Sequence, residues 1–439
     1  MHPTPSNAFD QSVFRFIDKD VSNGLVVFYR FIHMKKTVLH YYKHLCHGHK
    51  PKYAAIFLVL LANNTLAQTD TTKILKEVNV RSSATPQLQT VTPTQTVTSA
   101  DFIKNSSFNV ADAIRNFAGV NIRDYGGIGG LKTVSVRSLG ANHTAVLYDG
   151  IQLNDAQNGQ IDLSKFNLNN IQSITLYVAQ PAEICMPARS FAAATVLAIN
   201  TVKPQLTPEK PYKIVAGIKG GGFGLFHPYV QWQQRISNNW SFVVNSYLQK
   251  ANGRYKFKEN KDGSDTLAIR TNSDVNTHQV DGGLYWAKTD SNKFNLQVNY
   301  YHSDRGLPGP NILYTSYLGQ RLFNTDIFIQ SGYEHIAKNS LHLLINTKVS
   351  QNYLRYINPT TPNSSGGIDE NYTQREFYQS AGLSYKILPR WEVSYASDVA
   401  VSHVKTDIYN FAVPTRLSIY NVLATDVNFG KLHLQANLL

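Results

Sequence analysis

Residues 294–300 read Phe-Asn-Leu-Gln-Val-Asn-Tyr, with apolar and polar side chains in strict alternation. Successive side chains of a β-strand point to opposite faces, so this stretch predicts a strand with one apolar and one polar face. The same period of two recurs from residue 212 to residue 439. Eleven segments show it: 213–220, 226–236, 240–251, 273–287, 293–303, 323–337, 341–353, 373–386, 391–402, 416–428 and 431–439.

The connections between these segments alternate in length. Most segments reach the roughly 9–11 residues that a tilted strand needs to cross a bilayer. Loops that are short on one side and long on the other are typical of outer-membrane barrels. We therefore expect antiparallel transmembrane β-barrel strands, with a soluble all-β repeat as the alternative. The short turns are 237–239, 288–292, 338–340 and 387–390, and the long loops are 252–272, 304–322, 354–372 and 403–415.

Composition excludes several other classes. Only 16% of the 439 residues are charged, against about 25% in an average soluble domain, while 25 Tyr and 21 Phe argue against disorder. No apolar run is long enough for a transmembrane helix. Two cysteines cannot build a disulfide scaffold or a Cys-rich metal site. The net charge of +13 is spread without a Lys/Arg-rich run, so nucleic-acid binding is not expected.

The N-terminal region predicts export. Residues 54–62 form a nine-residue apolar stretch that follows Lys50 and Lys52 and precedes a small-residue cleavage site at 65–67. This order is typical of a secretory signal peptide. Met34 is the better start for it than Met1, so we interpret residues 1–33 as an upstream extension.

A small α+β unit precedes the long strands. Val110, Ala113, Ile114 and Phe117 share one face of a helix for which Asn109 is a suitable N-cap. Gly119 is a suitable stop for this helix. Short strands are predicted at 120–123, 132–137, 144–148, 151–153, 171–178 and 194–202.

Three motifs in this unit carry a family resemblance. The chain reads FAGVNIR at 117–123, VSVRSLGANHTAVLYDG at 134–150 and LND at 153–155. Together they resemble the plug domain of TonB-dependent outer-membrane receptors. In such receptors the segment ILKEVNV at 74–80 would be the Ton box. With the N-terminal segments and the long strands described above, this resemblance gives five expected parts: an extension at 1–33, a signal peptide at 34–67, Ton box and linker at 68–98, a plug domain at 99–203 and barrel strands at 212–439.

The resemblance also implies a function. Such a receptor imports a scarce ligand across the Gram-negative outer membrane with energy from the TonB complex in the periplasm. Arg137-Ser138, the stretch EICMPARSFAAA at 183–194 and the loop 304–309 are similar to the cobalamin-receptor-like branch, which favours cobalamin or a related corrinoid. Siderophores, haem and carbohydrate oligomers are the alternative ligands. A non-transporting surface binding protein or a non-functional receptor fragment is the alternative of another class.

By family position, three groups of site residues follow. The resemblance implies a plug–barrel ionic lock of Arg123, Arg137 and Arg189, with Glu334, Glu376 and Glu392 as available partners. The residues expected to contact TonB are Ile74, Leu75, Lys76, Glu77, Val78, Asn79 and Val80. Those expected to contact ligand are Tyr125, Gly126, Gly127, Gly129, Gly130, Asn154, Asp155, Asn158, Tyr314 and Tyr317.

No enzyme, metal or cofactor is expected. The sequence has no HExxH or GxSxG motif, and the glycines at 220–224 lack the context of a phosphate-binding loop. Outer-membrane lipid is the expected surrounding, and the barrel is expected to be monomeric. Receptors of this kind have about 22 strands. Eleven strands therefore suggest a C-terminally truncated chain that holds the N-terminal half of the barrel.

Overall fold

The computed structural model describes residues 15–19, 93–155, 159–179, 181, 183–261, 263–309, 319–338, 340–361, 366–430 and 432–439, with the backbone alone at 15–19 and 261. The predicted signal peptide and Ton box lie outside these residues. So do Asn158, Tyr314 and Tyr317.

The first part of the described chain is a mixed α+β unit. Its core contains Val110 and Ile114 from one helix together with Ile174, Leu176 and Leu197 from the sheet. The elements are β1 (Arg15–Lys19), β2 (Thr94–Thr98), α1 (Ser99–Lys104), α2 (Val110–Ile114), β3 (Val120–Asp124), β4 (Lys132–Val136), β5 (Thr144–Tyr148), β6 (Ile151–Gln152), β7 (Ile171–Tyr177) and β8 (Thr195–Thr201). Strands β2, β7, β8, β5 and β6 form one sheet in that order, whereas β3 pairs with β4 and β1 belongs to the larger sheet described below.

The predicted helix is confirmed, with its N-cap. The side chain of Asn109 accepts a hydrogen bond from the backbone N–H of Asp112 at 3.0 Å, which satisfies one free donor of the first helical turn. The helix ends at Ile114, and the chain then turns to Gly119, whose φ of +77° favours glycine.

Two elements lie where the sequence predicted only linker or loop. The last five residues of the predicted linker form β2, which pairs antiparallel with β7. Residues 252–272, expected to be a loop, contain a hairpin of β12 (Tyr255–Lys261) and β13 (Ser264–Arg270). Alternation over five or seven polar-rich residues is too weak a signal to separate a strand from a loop.

The second part is one large antiparallel sheet. Eleven strands confirm the eleven predicted segments, and β1 pairs with the first of them, so the sheet has twelve strands. They are β9 (Tyr212–Gly221), β10 (Leu225–Arg235), β11 (Trp240–Ala251), β14 (Val275–Thr289), β15 (Asn292–Gly306), β16 (Arg321–Ile336), β17 (Leu341–Asn358), β18 (Ile368–Leu388), β19 (Trp391–Thr406), β20 (Thr415–Asn428) and β21 (His433–Leu438).

This sheet is polar on its inner face and apolar on its outer face. On β16, Asn324, Asp326 and Gln330 are buried, while Ile327 and Ile329 are exposed. The mixed α+β unit covers the inner face, which explains why polar groups are the buried ones. An exposed apolar face of this extent needs an apolar surrounding. Among the described residues, no helix is long and apolar enough to cross a membrane.

Aromatic side chains gather at the end of the sheet with the short turns. Trp232 packs edge-on against Phe242, and the rings of Trp240 and Trp286 lie 6.4 Å apart. Such a girdle marks the edge of the apolar band in membrane barrels. The sheet therefore has an aromatic rim at its short-turn end and the longer connections at its other end.

Candidate functional site

A short 3₁₀ helix of the mixed α+β unit, Ala188–Ala192, rests directly on the inner face of the large sheet. This unit is the predicted plug, and the inner face of the sheet is referred to as the wall. Ala188 and Phe191 pack against Ala396 of β19 and Val422 of β20. This small apolar contact fixes the position of Arg189 between them. The arginine side chain is thereby directed at the polar inner wall of β17–β19.

Arg189 enters a buried network of charged groups. Its Nη1 lies 3.0 Å from Glu376 Oε1, and Lys348 Nζ lies 2.9 Å from the other oxygen, Glu376 Oε2. The backbone N–H of Arg189 donates to Asp398 at 2.7 Å, and the hydroxyl of Tyr378 donates to the same carboxylate oxygen at 2.7 Å. The side chain of Glu376 is 1% exposed. The network thus joins one plug residue to three neighbouring strands through desolvated charges.

Two further ion pairs join the plug to the wall. Lys165 Nζ lies 2.6 Å from Asp326 Oδ2, and Arg305 Nη1 lies 3.5 Å from Asp162 Oδ2. Burial opposes the charge of Lys165, but the carboxylates of Asp326 and Asp162 outweigh it and raise the pKa of that lysine. Lys165 is therefore charged at neutral pH, and the ion pair is intact there.

Further hydrogen bonds complete the attachment. Gln330 donates to the carbonyl of Tyr148 at 3.0 Å, and Gln231 donates to the carbonyl of Asn169 at 2.9 Å. Gln297 donates to the carboxylate of Asp149 at 2.5 Å. The wall thus holds the plug with many individually modest polar contacts. Net contributions of about 1 kcal/mol each are typical of such hydrogen bonds.

Two cavities lie between plug and wall, towards opposite ends of the sheet. The larger, of about 600 Å³, lies at the short-turn end beside Glu183, Trp240 and His342. The smaller, of about 190 Å³, lies towards the longer connections and is lined by Asn154 and Asp155 among others. Its wall combines the charged groups of the two ion pairs just described with Tyr301 and Phe328. This cavity can therefore offer both charged and aromatic contacts to a ligand.

The expected ligand-contacting residues separate into two groups. Asn154 and Asp155 line the smaller cavity, and the side chain of Asn154 also donates to Glu376 at 3.1 Å. Tyr125 is exposed, and the loop of Gly126, Gly127, Gly129 and Gly130 lies beside the cavity rather than in its lining. A Cβ at Gly129 would lie 2.7 Å from the Val275 side chain, so that glycine permits close packing of the loop on β14.

The three arginines expected to form the plug–barrel ionic lock differ in exposure and in ion pairing. Arg189 pairs with Glu376, as described above. In the described part of the chain, Arg123 and Arg137 are exposed and form no ion pair with a carboxylate of the sheet. Arg137 has a φ of +50°, and its backbone N–H donates to the carbonyl of Gly119. Glu334 pairs instead with His342, and Glu392 accepts from Ser384.

Sequence reasoning missed Lys348, Asp398, Arg305 and Asp326. All four are on the inner face of the sheet, which is the polar face of the alternation. Counting the charged residues at the polar positions of the alternation would have identified them. Within the described ranges, no group of three or more His, Cys, Asp or Glu residues could hold a metal ion.

Comparisons with known proteins agree with this fold. Residues 86–186 match the family model of the TonB-dependent Receptor Plug Domain. Among solved structures, the ferric enterobactin receptor PfeA of Pseudomonas aeruginosa is similar with a TM-score of 0.59 at 14% identity, over 79% of this chain and 57% of that one. The FrpB iron transporter of Neisseria meningitidis is similar with a TM-score of 0.63 at 10% identity, over 78% of this chain and 57% of that one. The siderophore receptor PirA of P. aeruginosa is similar with a TM-score of 0.53 at 12% identity, over 79% of this chain and 55% of that one.

Residues 86–186 thus match the plug domain of TonB-dependent receptors, and the chain continues into an antiparallel sheet with the fold of the receptor barrels. The matched family is one of receptors and not of enzymes. The plug-domain match and the barrel fold, taken together, indicate a location in the outer membrane of a Gram-negative cell. The chain spans 57% of the length of PfeA and of FrpB.

Proposed function

We propose that this chain acts as a TonB-dependent receptor, which imports a scarce ligand across the outer membrane with energy delivered from the periplasm. The observation that carries the proposal is the polar attachment of the plug. Buried ion pairs and hydrogen bonds hold it in the wall, and several small apolar contacts accompany them. Water can replace such polar contacts one by one, so a pull on the plug can release it without exposing a large apolar core.

For the ligand we propose cobalamin or a related corrinoid. The support is the resemblance of residues 183–194 and 304–309 to the cobalamin-receptor-like branch. A ferric siderophore is the second candidate, because PfeA and PirA are named as receptors for such ligands. Asn154 and Asp155 of the smaller cavity would meet either ligand as it enters from the longer connections.

A fluorescence titration of the full chain in detergent tests the ligand. We expect cyanocobalamin to quench tyrosine and tryptophan emission with saturation in the nanomolar to micromolar range, and ferric enterobactin to leave it unchanged. Asn154→Ala is expected to weaken binding about tenfold, since one good polar contact contributes roughly that much. Saturable binding of ferric enterobactin with none of cyanocobalamin would transfer the proposal to siderophores.

The membrane placement predicts different effects for two leucine substitutions on β18. Leu383 lies within the apolar band, whereas Leu388 is the last residue of the strand, and both are exposed. Leu383→Lys should lower the free energy of unfolding in lipid vesicles by about 2 kcal/mol, and Leu388→Lys by less than about 1 kcal/mol. Urea titration of the two variants measures this. Equal effects would contradict a lipid-facing outer surface, because two exposed leucines of a soluble sheet should behave alike.

A further inference from the structure

A buried carboxylate without a basic partner lies in the wall. Asp281 of β14 is 6% exposed. It lies directly opposite Asn245 of β11 on one side and Asn299 of β15 on the other, so three polar side chains are in register across three strands. Within the described residues, no lysine, arginine or histidine lies at ion-pair distance from this carboxylate.

The hydrogen-bond partners of Asp281 among the described residues are side-chain amides. The nitrogen of Asn245 donates to Asp281 Oδ2 at 3.1 Å, and that of Gln279 donates to Oδ1 at 2.9 Å. Asn299 also donates to Oδ1. Neutral donors solvate a carboxylate but do not cancel its charge. A buried charge is costly unless an opposite charge or a proton neutralises it.

Elsewhere in the wall a buried carboxylate has its cations in place. Glu376 pairs with Arg189 at 3.0 Å and with Lys348 at 2.9 Å. Asp281 has no such partner in the described part of the chain. Its neutralising charge therefore comes from solution, either as a proton or as a bound cation.

Two buried amide oxygens favour a cation over a proton. Asn245 is 1% exposed and Gln279 is 3% exposed, yet neither Asn245 Oδ1 nor Gln279 Oε1 has a hydrogen-bond partner in the described structure. A half-turn of either amide exchanges its two ends and brings the oxygen to the carboxylate. Oxygens in that position repel the carboxylate unless a cation lies between them. A protonated Asp281 carries one O–H and could satisfy only one of the two oxygens.

The surroundings of Asp281 provide both space and access. A cavity of about 10 Å³ adjoins the carboxylate and is lined also by Tyr148 and Thr201 of the plug. Such a space holds about one water molecule, whose oxygen can complete the shell of an ion. Gln279 and Asn299 line the cavity of about 190 Å³ described above. An ion can therefore reach the carboxylate from that cavity.

We propose that Asp281, Asn245 and Gln279 bind a monovalent cation of the size of Na⁺ in the wall, beneath the plug. One carboxylate supplies one negative charge, so a monovalent ion leaves the site neutral. Ca²⁺ takes about six to eight oxygen ligands, and Mg²⁺ keeps several waters in octahedral geometry, which is more than this set offers. The inference goes beyond the proposed function, because this ion belongs to the wall and is not the imported ligand.

Thermal unfolding of the full chain in a sodium-free, non-ionic detergent tests the site. Sodium chloride replaces choline chloride at constant ionic strength, since choline is too large for the site. An ion that binds only the folded state stabilises it in proportion to the logarithm of its concentration. With a dissociation constant of roughly 10 mM, we expect the Tm of wild type to rise by about 3 °C between zero and about 0.3 M sodium.

Two substitutions of wall carboxylates separate the site from general effects of charge. Asp281→Asn keeps the shape of the side chain but removes its charge, so the sodium-dependent gain should disappear. The matched control is Asp326→Asn, which removes a wall carboxylate that already pairs with Lys165. This control should have a lower Tm than wild type and keep the full gain in sodium chloride.

The line width of the ²³Na resonance gives a direct readout of binding at room temperature. Wild type and Asp326→Asn should broaden it, and an excess of choline should leave the broadening unchanged. Asp281→Asn should not broaden it. Asn245→Ala provides a second variant in case Asp281→Asn does not fold. It removes one proposed ligand and should raise the dissociation constant for sodium about tenfold, the usual effect of one good polar contact.

Two outcomes would overturn the inference. One is an equal Tm of wild type in choline chloride and in sodium chloride, which would identify a proton as the neutralising charge. The other is a gain in sodium chloride that survives in Asp281→Asn, which would place the ion elsewhere. The fluorescence titration with cyanocobalamin and ferric enterobactin is independent of both results. Failure of the ion site is thus distinguishable from failure of the proposed function.

Discussion

Replacing Arg189 by alanine is expected to weaken the attachment of the plug to the wall by about 3 kcal/mol. Removal of one partner from a buried ion pair costs about 3–5 kcal/mol because the other charge stays desolvated. We expect the lower end here, since Lys348 still neutralises Glu376 at 2.9 Å. The hydrogen bond to Asp398 comes from the backbone of residue 189 and survives the substitution, so the change isolates the guanidinium group.

Single-molecule pulling from the N-terminus of the chain measures this effect as a lower force for plug release. Hydrogen exchange of residues 188–201 gives a second readout. Arg137→Ala is the matched control, because Arg137 belongs to the same domain but is exposed. Equal release forces for the Arg189 and Arg137 variants would contradict the lock. A larger effect is expected for Glu376→Gln, which leaves Arg189 and Lys348 without the carboxylate that joins them.

Proline at position 75 or 78 is expected to abolish energised uptake while leaving ligand binding unchanged. By the resemblance, residues 74–80 pair as an extended strand with the TonB partner, and main-chain hydrogen bonds carry that pairing. Proline removes a backbone donor and cannot occupy an interior position of a paired strand. Uptake by whole cells should therefore fall at least about 100-fold, a loss equivalent to roughly 3 kcal/mol of coupling.

Ala84→Pro provides the control for this effect. It introduces the same residue into the predicted linker, which already contains Pro86 and Pro93. This variant should transport as wild type does, and a protonophore should stop its uptake. Normal uptake by both Leu75→Pro and Val78→Pro would refute the assignment of the Ton box. Loss of binding in either variant would show instead that the proline disturbs the folded plug.

The alternation of polar and apolar residues was sufficient to predict the long strands. A strand such as β15, with Leu296 and Val298 outside and Gln297 and Asn299 inside, repeats the period over its whole length. The hairpin of β12 and β13 escaped prediction because each strand has only seven residues, and the alternation of Tyr255 and Phe257 with lysines covers just part of one strand. Its strands pair only with each other. Nothing outside the hairpin imposes a pattern on it.

The site was predicted only where a residue's position followed from its local sequence. Arg189 was identified from the plug stretch that contains it, and Glu376 from its place on a strand. Lys348 and Asp398 could not be assigned to that network, because their meeting depends on how β17 and β19 flank β18. Pairing across strands is a property of register, and register is set by the whole sheet.

The place of β2 at the edge of the plug sheet has a mechanical consequence. Among the described strands, only β7 pairs with this five-residue strand in the sheet, and residue 93 precedes it directly. A load applied from the N-terminal side therefore separates the paired residues in order, from Thr94–Tyr177 to Thr98–Ser173. After the first pair it also reaches the two hydrogen bonds between Gln95 and Ala118. We expect the domain to yield from this corner at low load, whereas the Arg189 network, near the C-terminal end of the predicted plug domain, resists until last.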